Sequence, residues 1–89
     1  MKSKTALFAA LAEITGDATF VTEGLRHHRV SDETFGRKSF IYLFAKKDTR
    51  KQLYRELVNR GFKATLTDHR DDSPIDVQVS YFKGWHWDE

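Results

Sequence analysis

Cysteine is absent from the 89 residues, so neither a disulfide framework nor a thiolate metal site can hold the core together. A reducing, cytoplasmic setting is expected. No run of apolar residues approaches the 18 or more of a membrane-spanning helix. The start, Met1-Lys2-Ser3-Lys4 followed by Thr5 to Ala12, imitates a signal peptide and offers Ala10-Leu11-Ala12 as a cleavage-like triplet. It is too short for one and makes a better amphipathic helix. Excess charge is also lacking. The net charge of +2 and pI ≈ 9.0 fall short of what a dedicated nucleic-acid-binding domain of this length carries.

Catalytic signatures are missing as well. No Ser or Thr lies in a nucleophile-elbow context, and no glycine loop could cradle a phosphate. His27 and His28 are adjacent, His69 stands alone and His86 lies between two tryptophans, so none has the three-or-four-residue spacing that puts two ligands on one helical face. A metal site assembled from His27, His28, His69 and Asp68 is the one hydrolase-like arrangement the sequence offers. Solvated loop histidines are the commoner explanation. Asp68, Asp71, Asp72 and Asp76 are numerous but fit a charged turn before Pro74 better than tuned catalytic carboxylates. No enzyme activity, cofactor or bound metal is expected.

What is present is an ordinary globular balance, 39% hydrophobic and 31% charged, with too many aromatic rings for a disordered chain. A chain of this size buries only about 60 to 65% of its unfolded surface, which leaves room for one core and one domain spanning 1–89. Its charges are unevenly spread. Lys46, Lys47, Arg50, Lys51, Arg55, Arg60 and Lys63 face only Asp48 and Glu56, whereas beyond Lys63 the acids Asp68, Asp71, Asp72, Asp76, Asp88 and Glu89 outnumber Arg70 and Lys83. A basic side and an acidic side follow.

The pattern predicts a helix over residues 4 to 15, capped by Ser3, striped by Leu7, Ala10, Leu11 and Ile14, and stopped by Gly16. Ala18 to Thr22 is β-branched and aromatic and predicts a strand running on toward Leu25. Residues 26 to 38 lack periodicity and read as a long hairpin loop. Ser39 to Ala45 is apolar at both parities, as in a central strand touched on both faces. Asp48 is placed to cap a second helix buried through Leu53, Tyr54, Leu57 and Val58 and ending at Gly61. Strands follow at 62 to 68 and from Ile75 to Tyr81, joined by the turn chemistry of 68 to 74.

The expected architecture is therefore αββαββ: an α+β fold with a four-stranded antiparallel sheet and two helices packed on one face. The halves 3–45 and 48–82 show a likeness at an offset of 46, pairing Leu7 with Leu53, Leu11 with Leu57, and Ala18-Thr19-Phe20 with Ala64-Thr65-Leu66. Internal duplication and the shared patterning of two such units would both produce it.

Leu11-Ala12-Glu13-Ile14-Thr15-Gly16-Asp17-Ala18-Thr19-Phe20 resembles a one-residue-short version of the motif that names the LAGLIDADG homing endonucleases, whose core is also helix-hairpin-helix-hairpin. The resemblance implies a metal-binding role for Asp17. It covers ten residues, and the matching place in the second half holds Asn59, Arg60 and Gly61 with no acid, so no activity is carried over.

Two helices on one face leave the other face of the sheet open. One parity of the central strand must point there, either Phe40, Tyr42 and Phe44 or Ile41 and Leu43. The tail 83–89 adds Trp85 and Trp87, which either fold back over that face or anchor a partner. Arg26, His27, His28 and Arg29, with Arg37 and Lys38 leading into the aromatic strand, form a basic loop beside it, an arrangement suited to single-stranded nucleic acid. Phe40 to Phe44 matches an RNA-recognition strand only in hydrophobicity. The leading expectation is a non-enzymatic protein-binding module, a regulator or inhibitor docking on a larger protein or complex. Weak nucleic-acid binding through 26–38 is the alternative, a metal-dependent hydrolase a remote one, and self-association through the same face as a homodimer would also satisfy the pattern. No membrane partner is expected.

Overall fold

The computed structural model describes residues 3–35, 38–66 and 74–79. The fold is α+β, three helices and a four-stranded antiparallel sheet. Helix α1 (Lys4–Thr15) starts where the Ala6 N–H donates to the Ser3 hydroxyl at 3.1 Å, and ends where Gly16 turns left-handed at φ 73 and donates its N–H to the Ala12 carbonyl. Lys4, Leu7, Phe8 and Leu11 are buried at helical spacing along one stripe.

The expected strand at 18 to 22 is instead a second helix, α2 (Thr19–Glu23), followed by a 3₁₀ turn over Gly24–Arg26. Local capping overrides β propensity here. Asp17 Oδ1 accepts from the Thr19 N–H at 3.0 Å and also from the Thr19 hydroxyl, while the Val21 and Thr22 amides bond back to the Ala18 carbonyl. Phe20 is buried in the core. The likeness between the halves therefore joins a helix at Thr19-Phe20 to a strand at Thr65-Leu66.

The stretch 26 to 38 is likewise not a long loop. It contains strand β1 (Val30–Phe35), paired antiparallel with β2 (Lys38–Leu43) from Val30↔Leu43 to Phe35↔Lys38. Ser31, Asp32, Glu33 and Thr34 are all exposed, so the strand has no hydrophobic alternation for a sequence reading to detect.

Helix α3 (Lys47–Asn59) begins after Lys46, with Asp48 in the first turn and no side-chain cap, which corrects the capping role expected of Asp48. Its end is a complete Schellman motif: Gly61, at φ 90, donates to the Val58 carbonyl, and Phe62 donates to that of Leu57. Strands β3 (Lys63–Leu66) and β4 (Ile75–Val79) complete the sheet in the order β1-β2-β4-β3. Every neighbouring pair is antiparallel, so β2 and β3 run the same way and α3 crosses between them over β4.

Core rows cross the sheet as Ile41, Val77 and Ala64, and as Leu43, Ile75 and Leu66. Leu7, Leu11, Phe20, Leu53, Leu57 and Phe62 pack against them. Arg50, on the inward stripe of α3, is fully buried, and Arg60 joins Glu13 of α1 and lies 3.9 Å from Glu56, so the basic run from Lys46 to Lys63 is not one solvated face. Among the described residues no helix is long and apolar enough to cross a membrane.

Candidate binding surface

The parity question is answered by burial. Ser39, Ile41 and Leu43 face the helices, so Phe40 and Tyr42 point to the opposite side of the sheet, where both are half-buried. Their register neighbours complete that face. Glu33, Phe40, Gln78 and Lys63 form one row across the strands, and Ser31, Tyr42, Asp76 and Thr65 form the next. The rings of the expected apolar patch are thus set among polar neighbours, because Ser31 and Glu33 of β1 and Asp76 and Gln78 of β4 share this parity.

One of these neighbours holds the tyrosine in place. The Tyr42 hydroxyl donates to Glu33 Oε1 at 2.9 Å, and this bond is the main reason its ionisation is pushed above the usual tyrosine range, with partial burial and the charges of Glu33 and Asp76 adding to it. Asp76, partly sheltered on the same face, has its carboxyl raised above the ordinary range by loss of solvent.

Phe44, 42% exposed, follows the last residue of β2, its N–H donates to the Arg29 carbonyl, and it borders a cleft together with Leu11, Phe20, Leu53 and Arg29. The space there is largely open solvent, and its enclosed part has room for about one water molecule.

The basic loop is divided. Arg26, His28 and Arg29 are exposed before β1, whereas Lys38 lies at the strand's far end, opposite Phe35 and roughly 17–20 Å away at the rise of an extended strand. Arg37, Trp85 and Trp87 lie outside the described residues, as do Asp68 and His69 of the imagined metal site.

His27 leaves the surface altogether. It is 2% exposed and stacked between Phe20, at 4.0 Å between ring centroids, and His28, at 4.6 Å. Nδ1 accepts from the Arg29 N–H at 3.1 Å, which puts the proton of the neutral ring on Nε2, facing Thr19 Oγ1 at 3.0 Å and Asp17 Oδ2 at 3.6 Å. Asp17, His27 and a hydroxyl are the components of a nucleophilic triad, but the order is wrong for one. The ring donates toward Thr19 and cannot take its proton, and the Thr19 hydroxyl is already given to Asp17. These bonds clip α2 to the turn before β1. Asp17 is held below the usual carboxylate range, chiefly by the Thr19 hydroxyl, then by the Thr19 amide and, more weakly, His27. The residue that the endonuclease likeness would give to a metal is thus engaged in a local bond network. No group of three or more His, Asp or Glu able to hold a metal occurs among the described residues.

Adjacent histidines looked like loop chemistry in sequence. The hidden signal was Asp17-Ala18-Thr19, an Asx-type start, eight residues before a histidine that could close on it.

Comparison with protein families, with curated proteins and with solved structures finds no match to this chain.

Proposed function

We propose that this chain is a non-enzymatic protein-binding module, a small regulator or inhibitor that docks on a larger protein through the open face of its sheet. The observation that carries the reading is the Phe40 and Tyr42 pair, set side by side on β2, with the tyrosine hydroxyl held by Glu33. Rings fixed in this way lose little freedom on binding, and aromatic anchors inside a polar rim are the usual centre of a protein interface. Their polar setting also discriminates. Glu33 and Asp76 stand directly beside the rings, and their charges disfavour phosphate at that spot.

Phe40→Ala and Tyr42→Ala test it on the copurified native partner. Each is expected to weaken binding by tenfold or more while the far-UV circular dichroism spectrum is kept. Unchanged affinity in both variants refutes the face.

The alternative, weak nucleic-acid binding, draws on Arg26, His28 and Arg29, exposed together in one turn. It requires retention of labelled oligonucleotide at low salt with steep release as salt rises.

A further inference from the structure

We infer that the outer edge of β1 receives an extended, dibasic segment of the partner protein as a fifth strand, an inference that rests on the protein-binding reading and gives its partner a chemistry. The Phe44 N–H donates to the Arg29 carbonyl at 2.9 Å, so positions 29 and 44 form a hydrogen-bonded pair of the antiparallel ladder. Alternation then turns the backbone groups of Ser31 and Glu33 inward to β2 and those of Val30, Asp32 and Thr34 outward. Val30 uses its N–H on the His27 carbonyl. The Asp32 and Thr34 amides and carbonyls have no such bond to another element among the described residues, and β1 is the end of the sheet.

The helices do not shelter this edge. Asp32 lies on the helix-side parity opposite Ile41, yet it is exposed, as are Ser31, Glu33 and Thr34. β3, the other edge, is shorter at four residues against six, and α3 packs on it. Charge then selects the occupant. A second copy pairing antiparallel on β1 would set Asp32 against Asp32 in the register centred there, or Glu33 against Glu33 in the next, which disfavours a homodimer in either. A strand with two adjacent basic residues fits both, because consecutive side chains alternate faces: one base meets Asp32 on the helix side and the next meets Glu33 on the open side. Glu33 gives Oε1 to Tyr42 and keeps Oε2 for the cation, so the edge continues into the aromatic face.

The test is fluorescence anisotropy with a short labelled peptide carrying two adjacent lysines between threonine and valine residues. Saturable binding is expected, with at least tenfold loss in three cases: alternate N-methylation of the peptide, separation of its lysines by one residue, and the variant Asp32→Pro. Proline at 32 removes an outward N–H and leaves the ladder to β2 intact. If that variant fails to fold by circular dichroism, Asp32→Lys with Glu33→Lys takes its place, with the same loss expected. No binding to the native chain overturns the inference, as does equal binding of the N-methylated peptide, which would reduce the effect to charge alone. Those failures leave the face reading to Phe40→Ala and Tyr42→Ala. Loss of native-partner binding in those variants alone refers the failure to the edge.

Discussion

Replacing His27 with alanine should destabilise the fold by about 1.5–3.5 kcal/mol. The ring makes two hydrogen bonds, from the Arg29 amide and to Thr19, each contributing about 0.5–1.5 kcal/mol net. Its stack on Phe20 adds about 0.5–1.5 kcal/mol. The polar part is discounted toward the low end because Thr19 and Arg29 are exposed and water can replace the lost partner. For a domain of this size that loss lowers Tm by about 6–28 °C. Urea unfolding followed at the helical circular dichroism band measures it, with His27→Phe keeping the stack and losing only the polar share, about 1–2 kcal/mol. Thr19→Val should cost about 1 kcal/mol, and the double variant less than the sum of the singles, since both remove one bond. A His27→Ala protein within about 0.5 kcal/mol of the native chain would refute the buried-clip reasoning and return His27 to the binding surface.

Long elements with regular periodicity were legible in the sequence. α1 and α3 have apolar stripes and glycine stops, and β4 alternates, so their positions and the sheet they imply follow from patterning alone. The misreadings share a cause. Thr19 to Thr22 has the composition of a strand, but a five-residue segment is decided by its first hydrogen bonds, and Asp17 supplies them to a helix. Conversely, Ser31 to Thr34 has no strand composition, because an edge strand beyond the reach of the helices buries neither parity. With β1 hidden, its flanking bases seemed to share a loop. Phe40 and Tyr42 were recoverable as surface rings, since β2 is apolar at both parities and only one can enter the core. Their acidic frame was not, because Glu33 and Asp76 reach the rings only through a register that no single segment specifies.

Gly61→Ala should cost about 1–2 kcal/mol in urea unfolding, since φ 90 burdens any side chain and the Schellman end of α3 depends on it. Asp76→Asn should stabilise the fold at neutral pH by up to about 1 kcal/mol. A carboxyl raised by burial favours the folded state below its unfolded range and loses that advantage as pH rises through the folded one, so the gain should vanish in acid, as paired melts at two pH values would reveal. Asp17 has the opposite sign. Its lowered carboxyl supports the clip above the ordinary carboxylate range and ceases to do so as pH falls through its folded range, so protection of the Thr19 amide against hydrogen exchange should drop in strong acid. The Tyr42 bond gives the last contrast. With its hydroxyl donated to a carboxylate beside a second acid, ionisation must break a hydrogen bond and add a third negative charge to the face, so Tyr42 should titrate above the usual tyrosine range. Ultraviolet difference titration of the native chain against Glu33→Gln measures it. The substitution removes the charge and weakens the bond, and Tyr42 should then ionise at lower pH. Coincident curves would show that Glu33 does not hold the ring and would remove the preorganised anchor from the binding proposal.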